Sequence, residues 1–306
     1  MRLIVHGQQA FGAAVLEALV KRGDNVVGVF VAPDKGPKPD PMKEAALKLG
    51  LPVHQPKSYK TPEALELVKS MNADLCVMAF VTLFVPSAVL NAPRLGSIQY
   101  HPSLLPLHRG PSSINWPIVQ GAKKTGLSIF WPDDGLDTGP ILVQKTVDVL
   151  PDDTLGKVYF DKLFPLGVSA MLEGVDLVKA GKAPRLDQDE SQATYESWCK
   201  AENARIDWSK SVHQTYDLIR GCDPAPAAWT TLDGKKVQLF DCRKVVDRRG
   251  TMRGAPGEVT SIDAESFTVL GVGGAIVVGR VKPEDGPKAK AADFAKAALK
   301  VGSRFV

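Results

Sequence analysis

The chain has 306 residues, 44% hydrophobic and 24% charged, the make-up of a soluble globular protein with room for one large domain and a smaller one. No stretch of about 18 apolar residues occurs, which argues against a membrane span. Net charge is +4 and uneven: residues 1–199 carry 20 Lys/Arg against 21 Asp/Glu, whereas residues 200–306 carry 18 against 13. The C-terminal part therefore permits an anionic partner without requiring one.

The opening "MRLIVHGQQAFG" has no small-residue cleavage site after a long apolar core and reads as a first strand rather than a leader. A helix is predicted from Ala10 to Lys21 and a second strand at "NVVGVFVA". The turn "HGQQAFG" stands where a phosphate-binding loop would sit, but it is neither G-x-G-x-x-G nor a P-loop. The acid expected after the second strand of a nucleotide-binding unit could only be Asp34. No NAD(P) is expected. "PMKEAALKLG" predicts a helix with Pro41 at its start and Gly50 past its end. "TPEALELVKSM" predicts another, capped by Thr61. "DLCVMAF", "SIQYH" and "GLSIFWP" are further strands, and a long helix is predicted from Thr154 to Ala180. This alternation predicts an α/β fold with a doubly wound, mostly parallel sheet.

Near residue 183 the pattern breaks into "KAPRLDQDESQATYESW", polar and irregular. A catalytic domain is expected over 1–185, a linker over 186–204 and a small domain over 205–306. That last part begins with a helix, "SVHQTYDLIRGC". A hairpin follows around Asp233-Gly234, then short glycine-punctuated strands, which predict a small β-barrel.

Cys76, Cys199, Cys222 and Cys242 form no C-x-x-C pair, and the five histidines show no H-E-x-x-H spacing. Neither a disulfide framework nor a metal site is expected, and the expected location is the reducing cytoplasm.

The candidate site is "SIQYHPSLLPLHRGPSSINW". Residues two apart on a strand share a face, so Gln99 and His101 project together near the carboxyl end of their strand, where open α/β sheets bind ligands. Pro102, Pro106 and Pro111 then impose a stiff loop. Further on, "DDGLDTG" places Asp137 between Gly135 and Gly139, which allow a sharp bend towards a neighbouring strand end. A carboxylate, an imidazole and a carboxamide at one sheet edge suit acyl chemistry: N–H groups stabilise an oxyanion and a carboxylate takes a proton.

"HPSLLPLHRG" followed by "DDGLDTG" resembles the formyltransferase family that uses 10-formyltetrahydrofolate. The resemblance extends through "INW", "SIFW", "VLPDDT", "FVPSAVLNAPRLGSI" and "RVKPEDGPKAKAADF", and so covers nearly the whole chain. Within that family it is similar above all to the hydrolase domain of 10-formyltetrahydrofolate dehydrogenases, and it is also like methionyl-tRNA formyltransferases. The resemblance implies a Rossmann-like domain followed by an OB-like barrel, with 10-formyltetrahydrofolate and tetrahydrofolate as substrate and product. By position, His101 matches the catalytic histidine and Asp137 the essential aspartate. Ser103, Leu104, Leu105, Pro106 and Gly110 match the loop beside the folate. Leu83, Phe84 and Val85 match the segment bordering the pteridine ring, and the pteridine is expected in an apolar cleft near Phe80 and Phe84. Arg109 is expected to brace the loop. Gln99 stands where the family's transferases carry asparagine: it keeps the carboxamide and adds a methylene.

The expected reaction is hydrolysis to formate and tetrahydrofolate. Transfer to an amine, as in methionyl-tRNA or an amino sugar, is the alternative, and a weakly active folate-binding protein is the reading of another class. Loop 31–41 holds two Lys and two Asp, which counts against tRNA. The basic cluster Arg243, Lys244, Arg248, Arg249 and Arg253 reads as a solvated hairpin. No DNA or membrane partner is expected. The likeness to the dehydrogenase does not reach an oxidising domain, so an oxidation would need a separate chain.

Overall fold

The computed structural model describes residues 1–306. The elements up to residue 179 are β1 (Arg2–Gly7), α1 (Gln9–Lys21), β2 (Asn25–Val31), α2 (Pro41–Lys48), β3 (Val53–His54), α3 (Pro62–Ser70), β4 (Leu75–Ala79), α4 (Ser87–Leu90), β5 (Ser97–His101), α5 (Asn115–Val119), β6 (Lys124–Phe130), β7 (Ile141–Asp148), α6 (Leu155–Lys157) and α7 (Phe164–Lys179). They are followed by α8 (Val212–Gly221), β8 (Trp229–Leu232), β9 (Lys235–Val246), β10 (Val259–Ile262), β11 (Phe267–Gly271), β12 (Gly274–Pro283), β13 (Ala289–Lys290) and α9 (Ala291–Ala298). No helix is long and apolar enough to cross a membrane.

Two compact units result. One comprises residues 1–110, 126–147 and 162–195, and the other 111–125, 148–161 and 196–306. The chain thus passes between units several times. Residues 186–195, which the sequence assigns to a linker, belong to the first unit. Leu186 exchanges backbone hydrogen bonds with Ile141 (2.8 and 3.0 Å), and Thr194 bonds to Pro106 and Arg109. Main-chain pairing of this kind leaves no hydrophobic period to read.

In the first unit the strand order is β3-β2-β1-β4-β5-β6-β7. The first five strands run parallel and β6 runs antiparallel to β5. Ile4, Phe30, Cys76 and Met78 pack with Ala64 and Val68 of α3 and Val89 and Leu90 of α4. Elsewhere in the unit Phe11 of α1 meets Tyr100 and Phe164. The Asp40 carboxylate caps α2 through the Met42 N–H at 2.9 Å and also accepts the Gln9 N–H at 2.8 Å, fixing the start of α1. A Cβ on Gly7 would strike the Ala79 carbonyl, so glycine lets the ends of β1 and β4 approach. The single helix predicted from Thr154 to Ala180 is instead interrupted by a π-helical stretch, Val158–Leu163. Pro165 has no N–H for the α-helical ladder, and a wider turn absorbs the missing bond.

His6 lies buried in β1, with Nε2 2.9 Å from the Tyr59 hydroxyl. Burial lowers its pKa from 6.5 to about 3. The folded chain therefore refuses a proton that the unfolded chain accepts. This contribution is intact above the unfolded value and is lost as pH falls from about 6.5 towards 3. At about 1.4 kcal/mol per unit, acidifying from about pH 6.5 to 4.5 should remove roughly 2–3 kcal/mol. Denaturant midpoints across that range check this: the wild-type midpoint should fall, and that of His6→Leu should fall distinctly less.

In the second unit the sheet order is β10-β11-β12-β9-β8, with β13 on β12, and the paired strands are antiparallel. Asp233 (φ 49°) and Gly234 (φ 79°) form the predicted β8–β9 turn. The C-terminal tail then reaches both sides of the sheet. Val306 exchanges backbone bonds with Thr231 of β8, while Ser303 and Phe305 bond to Val259 and Gly257 at β10. Phe305 stacks on Phe267 in the core at 5.8 Å. The tail thereby bridges the two edge strands into a small barrel.

Candidate active site

Strand order in the first unit reverses between β1 and β4. In open α/β sheets the crevice outside the carboxyl ends at such a point receives the ligand. Gln9 after β1 and Phe80 after β4 both adopt positive φ (59° and 63°), turning the chain sharply away from the strands. Phe80 and Phe84 are 43% and 57% exposed, and the Lys60 ammonium lies 5.1 Å from the Phe84 ring. Leu83 is half-buried and Val85 buried, both packed into the core beneath. Large exposed rings beyond the carboxyl end of a strand offer flat apolar contact area.

His101 ends β5, and only 6% of its surface is exposed; for Asp137 the figure is 8%. β6 is antiparallel to β5 and pairs Phe130 with Gln99, so it runs away from the His101 end. The loop after it must reverse to return Asp137. The Trp131 N–H bonds to the Pro140 carbonyl at 2.9 Å and closes this loop. Gly139 lies so close to the Trp131 carbonyl that a Cβ would collide with it. Asp137 itself sits at φ 57°, the left-handed region. The result places Asp137 Oδ2 at 3.5 Å from His101 Nδ1 and at 2.9 Å from the Gly110 N–H. On the other side of the ring, His101 Nε2 is 2.9 Å from the His108 carbonyl oxygen. Both ring nitrogens therefore face oxygen acceptors. Gly110, at φ 106°, supplies its N–H from a conformation that disfavours a side chain.

Gln99 is half-buried two residues before His101, flanked in the sheet by Met78 and Phe130. No hydrogen bond joins it to the His101–Asp137 pair. The loop after His101 is stiff because neighbouring strands hold it. The Ser103 hydroxyl donates to the Leu107 carbonyl at 2.6 Å, and the Ser103 carbonyl accepts from Ser128 Oγ at 2.8 Å. The Leu105 carbonyl accepts from Gln144 Nε2 at 2.9 Å. Ser103 and Leu105 are buried, whereas Leu104 and Pro106 are half-buried. Of the four, Leu104 and Pro106 have side-chain surface to offer a ligand.

Sequence reasoning expects Arg109 to brace this loop but misses the partners that clamp it. The Arg109 guanidinium is buried. It donates to Gln188 Oε1 (3.2 and 2.8 Å) and to both Glu190 oxygens (2.8 and 2.5 Å), and it also bonds to the Tyr195 hydroxyl. These donations hold the Glu190 carboxyl below its usual range and raise the guanidinium. Gln188 Nε2 in turn donates to the carbonyls of Asp137 (2.9 Å) and Gly139 (2.7 Å). In the sequence these residues are part of a polar stretch with no period. Only the placement of the 137–139 carbonyls reveals what Gln188 does.

Residues 1–173 match the family model described as formyl transferase, and residues 199–299 match the formyl transferase C-terminal domain. Mitochondrial 10-formyltetrahydrofolate dehydrogenase of Mus musculus is 42% identical over 309 residues, covering 96% of this chain and 33% of that protein. The chain thus spans a third of this dehydrogenase's length. Methionyl-tRNA formyltransferase of Geotalea uraniireducens is 35% identical over 303 residues, 96% of this chain and 94% of that one. Among solved structures, HypX from Aquifex aeolicus in complex with tetrahydrofolic acid is similar in fold. Its TM-score is 0.70 at 19% identity, covering 98% of this chain and 48% of that chain. Both family models match in order, and one relative matches nearly end to end, so the chain belongs to the formyl transferase family of enzymes.

Proposed function

We propose that this chain hydrolyses 10-formyltetrahydrofolate to tetrahydrofolate and formate. The observation that carries the reading is the buried pair of Asp137 and His101, 3.5 Å apart, at the end of β5 in the sheet where Phe80 and Phe84 stand exposed after β4. The dehydrogenase relative, by its name, acts on this substrate.

Asp137 takes a proton from a water that attacks the formyl carbon. As the new C–O bond forms, the carbonyl π pair moves onto oxygen. Protonated His101 turns its Nδ1–H, which faces the carboxylate at 3.5 Å, towards that oxyanion, and it donates this proton to the departing nitrogen as the oxygen's pair returns to carbon and the C–N bond breaks. Water supplies the hydroxyl and the second proton, so the products balance as formate, an amine and one released proton. Asp137, with Oδ2 fixed by the Gly110 N–H, keeps Oδ1 for the water.

The pteridine lies against Phe84. Phe84→Ala removes one wall and should raise KM about tenfold, the equivalent of ~1.4 kcal/mol, with kcat within twofold. Steady-state formate release at varied substrate concentration checks this.

A second reading is formyl transfer to an amine, and the nearly end-to-end match to a methionyl-tRNA formyltransferase favours it. Incubation with 10-formyltetrahydrofolate alone discriminates. Formate release at catalytic rates supports hydrolysis. Turnover only after adding methionyl-tRNA or an amino sugar supports transfer. Stoichiometric binding without turnover overturns both readings and leaves a binding protein.

A further inference from the structure

We infer that Gln188 is a positioning residue for Asp137, the part of the site that decides where the carboxylate points. The inference rests on the proposed role of Asp137 and extends it to a residue 51 positions away.

Asp137 needs such a partner. Its backbone is held at φ 57°, a conformation that costs a non-glycine residue roughly 1–2 kcal/mol and persists only where the surroundings over-determine it. Gln188 supplies the constraint. Both hydrogens of its amide are committed, one to the Asp137 carbonyl and one to the Gly139 carbonyl. These two acceptors bracket Thr138, so the bonds fix the main-chain direction across the loop.

The other end of the same amide is equally committed. Gln188 Oε1 accepts from Nε and Nη2 of Arg109, and Arg109 is itself pinned by Glu190 and Tyr195. The Arg109 backbone N–H bonds to the Thr194 carbonyl at 3.0 Å, and the next residue, Gly110, gives its N–H to Asp137 Oδ2. A closed circuit results. The main chain of Asp137 is held through Gln188, its carboxylate is held through Gly110, and both routes meet at Arg109.

The circuit requires a side chain with two donors and one acceptor in a plane, at the end of two methylenes. Glutamine meets this requirement. Glutamate, lysine and arginine each lack either the donors or the acceptor.

Gln188→Glu separates the two halves. It keeps the acceptor for Arg109 and deletes both donors to the 137–139 carbonyls. Two measurements on the full chain are made, formyl turnover and amide hydrogen exchange by NMR. For the variant, kcat should fall about thirtyfold, less than the roughly hundredfold that a 1 Å misplacement can cost, with KM within twofold. Exchange of the Gly110 amide, whose acceptor is the Asp137 carboxylate, should quicken at least tenfold. Core amides such as those of Val5 and Val77 should keep their wild-type rates. Quickened exchange throughout the core would mean general destabilisation and overturn the inference, as would an unchanged Gly110 rate. Turnover is assayed with water and with an added amine. A wild-type chain active only with the amine defeats the hydrolase reading, while the Gln188 variant is still judged on the amine reaction. A chain without turnover leaves the Gly110 exchange rate to decide.

Discussion

Asp137→Asn is expected to reduce formate release at least a hundredfold while leaving folate affinity within a few-fold of wild type, and His101→Ala is expected to do the same. Losing a general base costs about 10²–10⁴ in rate, and losing one oxyanion donor costs about 10²–10³. The asparagine variant is the more informative of the two at position 137. Its Oδ1 still accepts the Gly110 N–H now bonded to Asp137 at 2.9 Å, so the loop keeps its anchor and only the proton-accepting charge disappears. Asp137→Ala would also strand that buried N–H, at roughly 1–3 kcal/mol, and so mix chemistry with folding. Single-turnover formate release, paired with equilibrium binding of tetrahydrofolate, measures both quantities. Turnover near the wild-type rate in either variant would remove this pair from the mechanism.

Gly139→Ala should be nearly as damaging although it touches no reacting atom. The added methyl meets the Trp131 carbonyl carbon at 2.8 Å and presses on its oxygen. The loop cannot yield freely, because the Trp131 N–H is tied to the Pro140 carbonyl and the Gly139 carbonyl to Gln188. Overpacking of this kind costs about 1–3 kcal/mol. The strain falls two residues from Asp137, where a shift of about 1 Å is worth a hundredfold in rate. The expected result is a kcat loss approaching a hundredfold with a modestly lower melting temperature. Gly23→Ala is the control: Gly23 sits at positive φ, unlike Gly139, and has open space around its Cβ, so the substitution should cost some stability and leave kcat unchanged. Equal kcat in both variants would show that the 131–140 loop does not position the carboxylate.

Much of the architecture was legible because it is written in short-range patterns. β4 is a continuous apolar run buried on both faces, and β1 is buried from Leu3 onwards. Thr61 and Pro62 announce α3, and Asp233-Gly234 announces its hairpin, because each acts on backbone a few residues away. Strand periodicity likewise placed Gln99 and His101 on one face. The long helix from Thr154 was legible at its cap, where Thr154 accepts the Lys157 N–H. The interruption before Pro165 is not written locally, because it depends on which carbonyl is left without a donor.

Apolar period, caps, turn residues and motif order belonged to the sequence alone. From them came the doubly wound sheet, the glycine-punctuated barrel and the two segments that bring an imidazole and a carboxylate to bear. The tertiary structure decided how those segments meet. It reversed β6 against β5, folded residues 131–140 back to His101, turned a polar stretch into the Arg109–Gln188 clamp and bridged the barrel with residues 303–306. The physical reason is range. A cap or a strand period is enforced by neighbours within about four residues, whereas Gln188 meets Asp137 51 residues away and Arg109 79 residues away, through bonds whose partners exist only once the backbone has been placed.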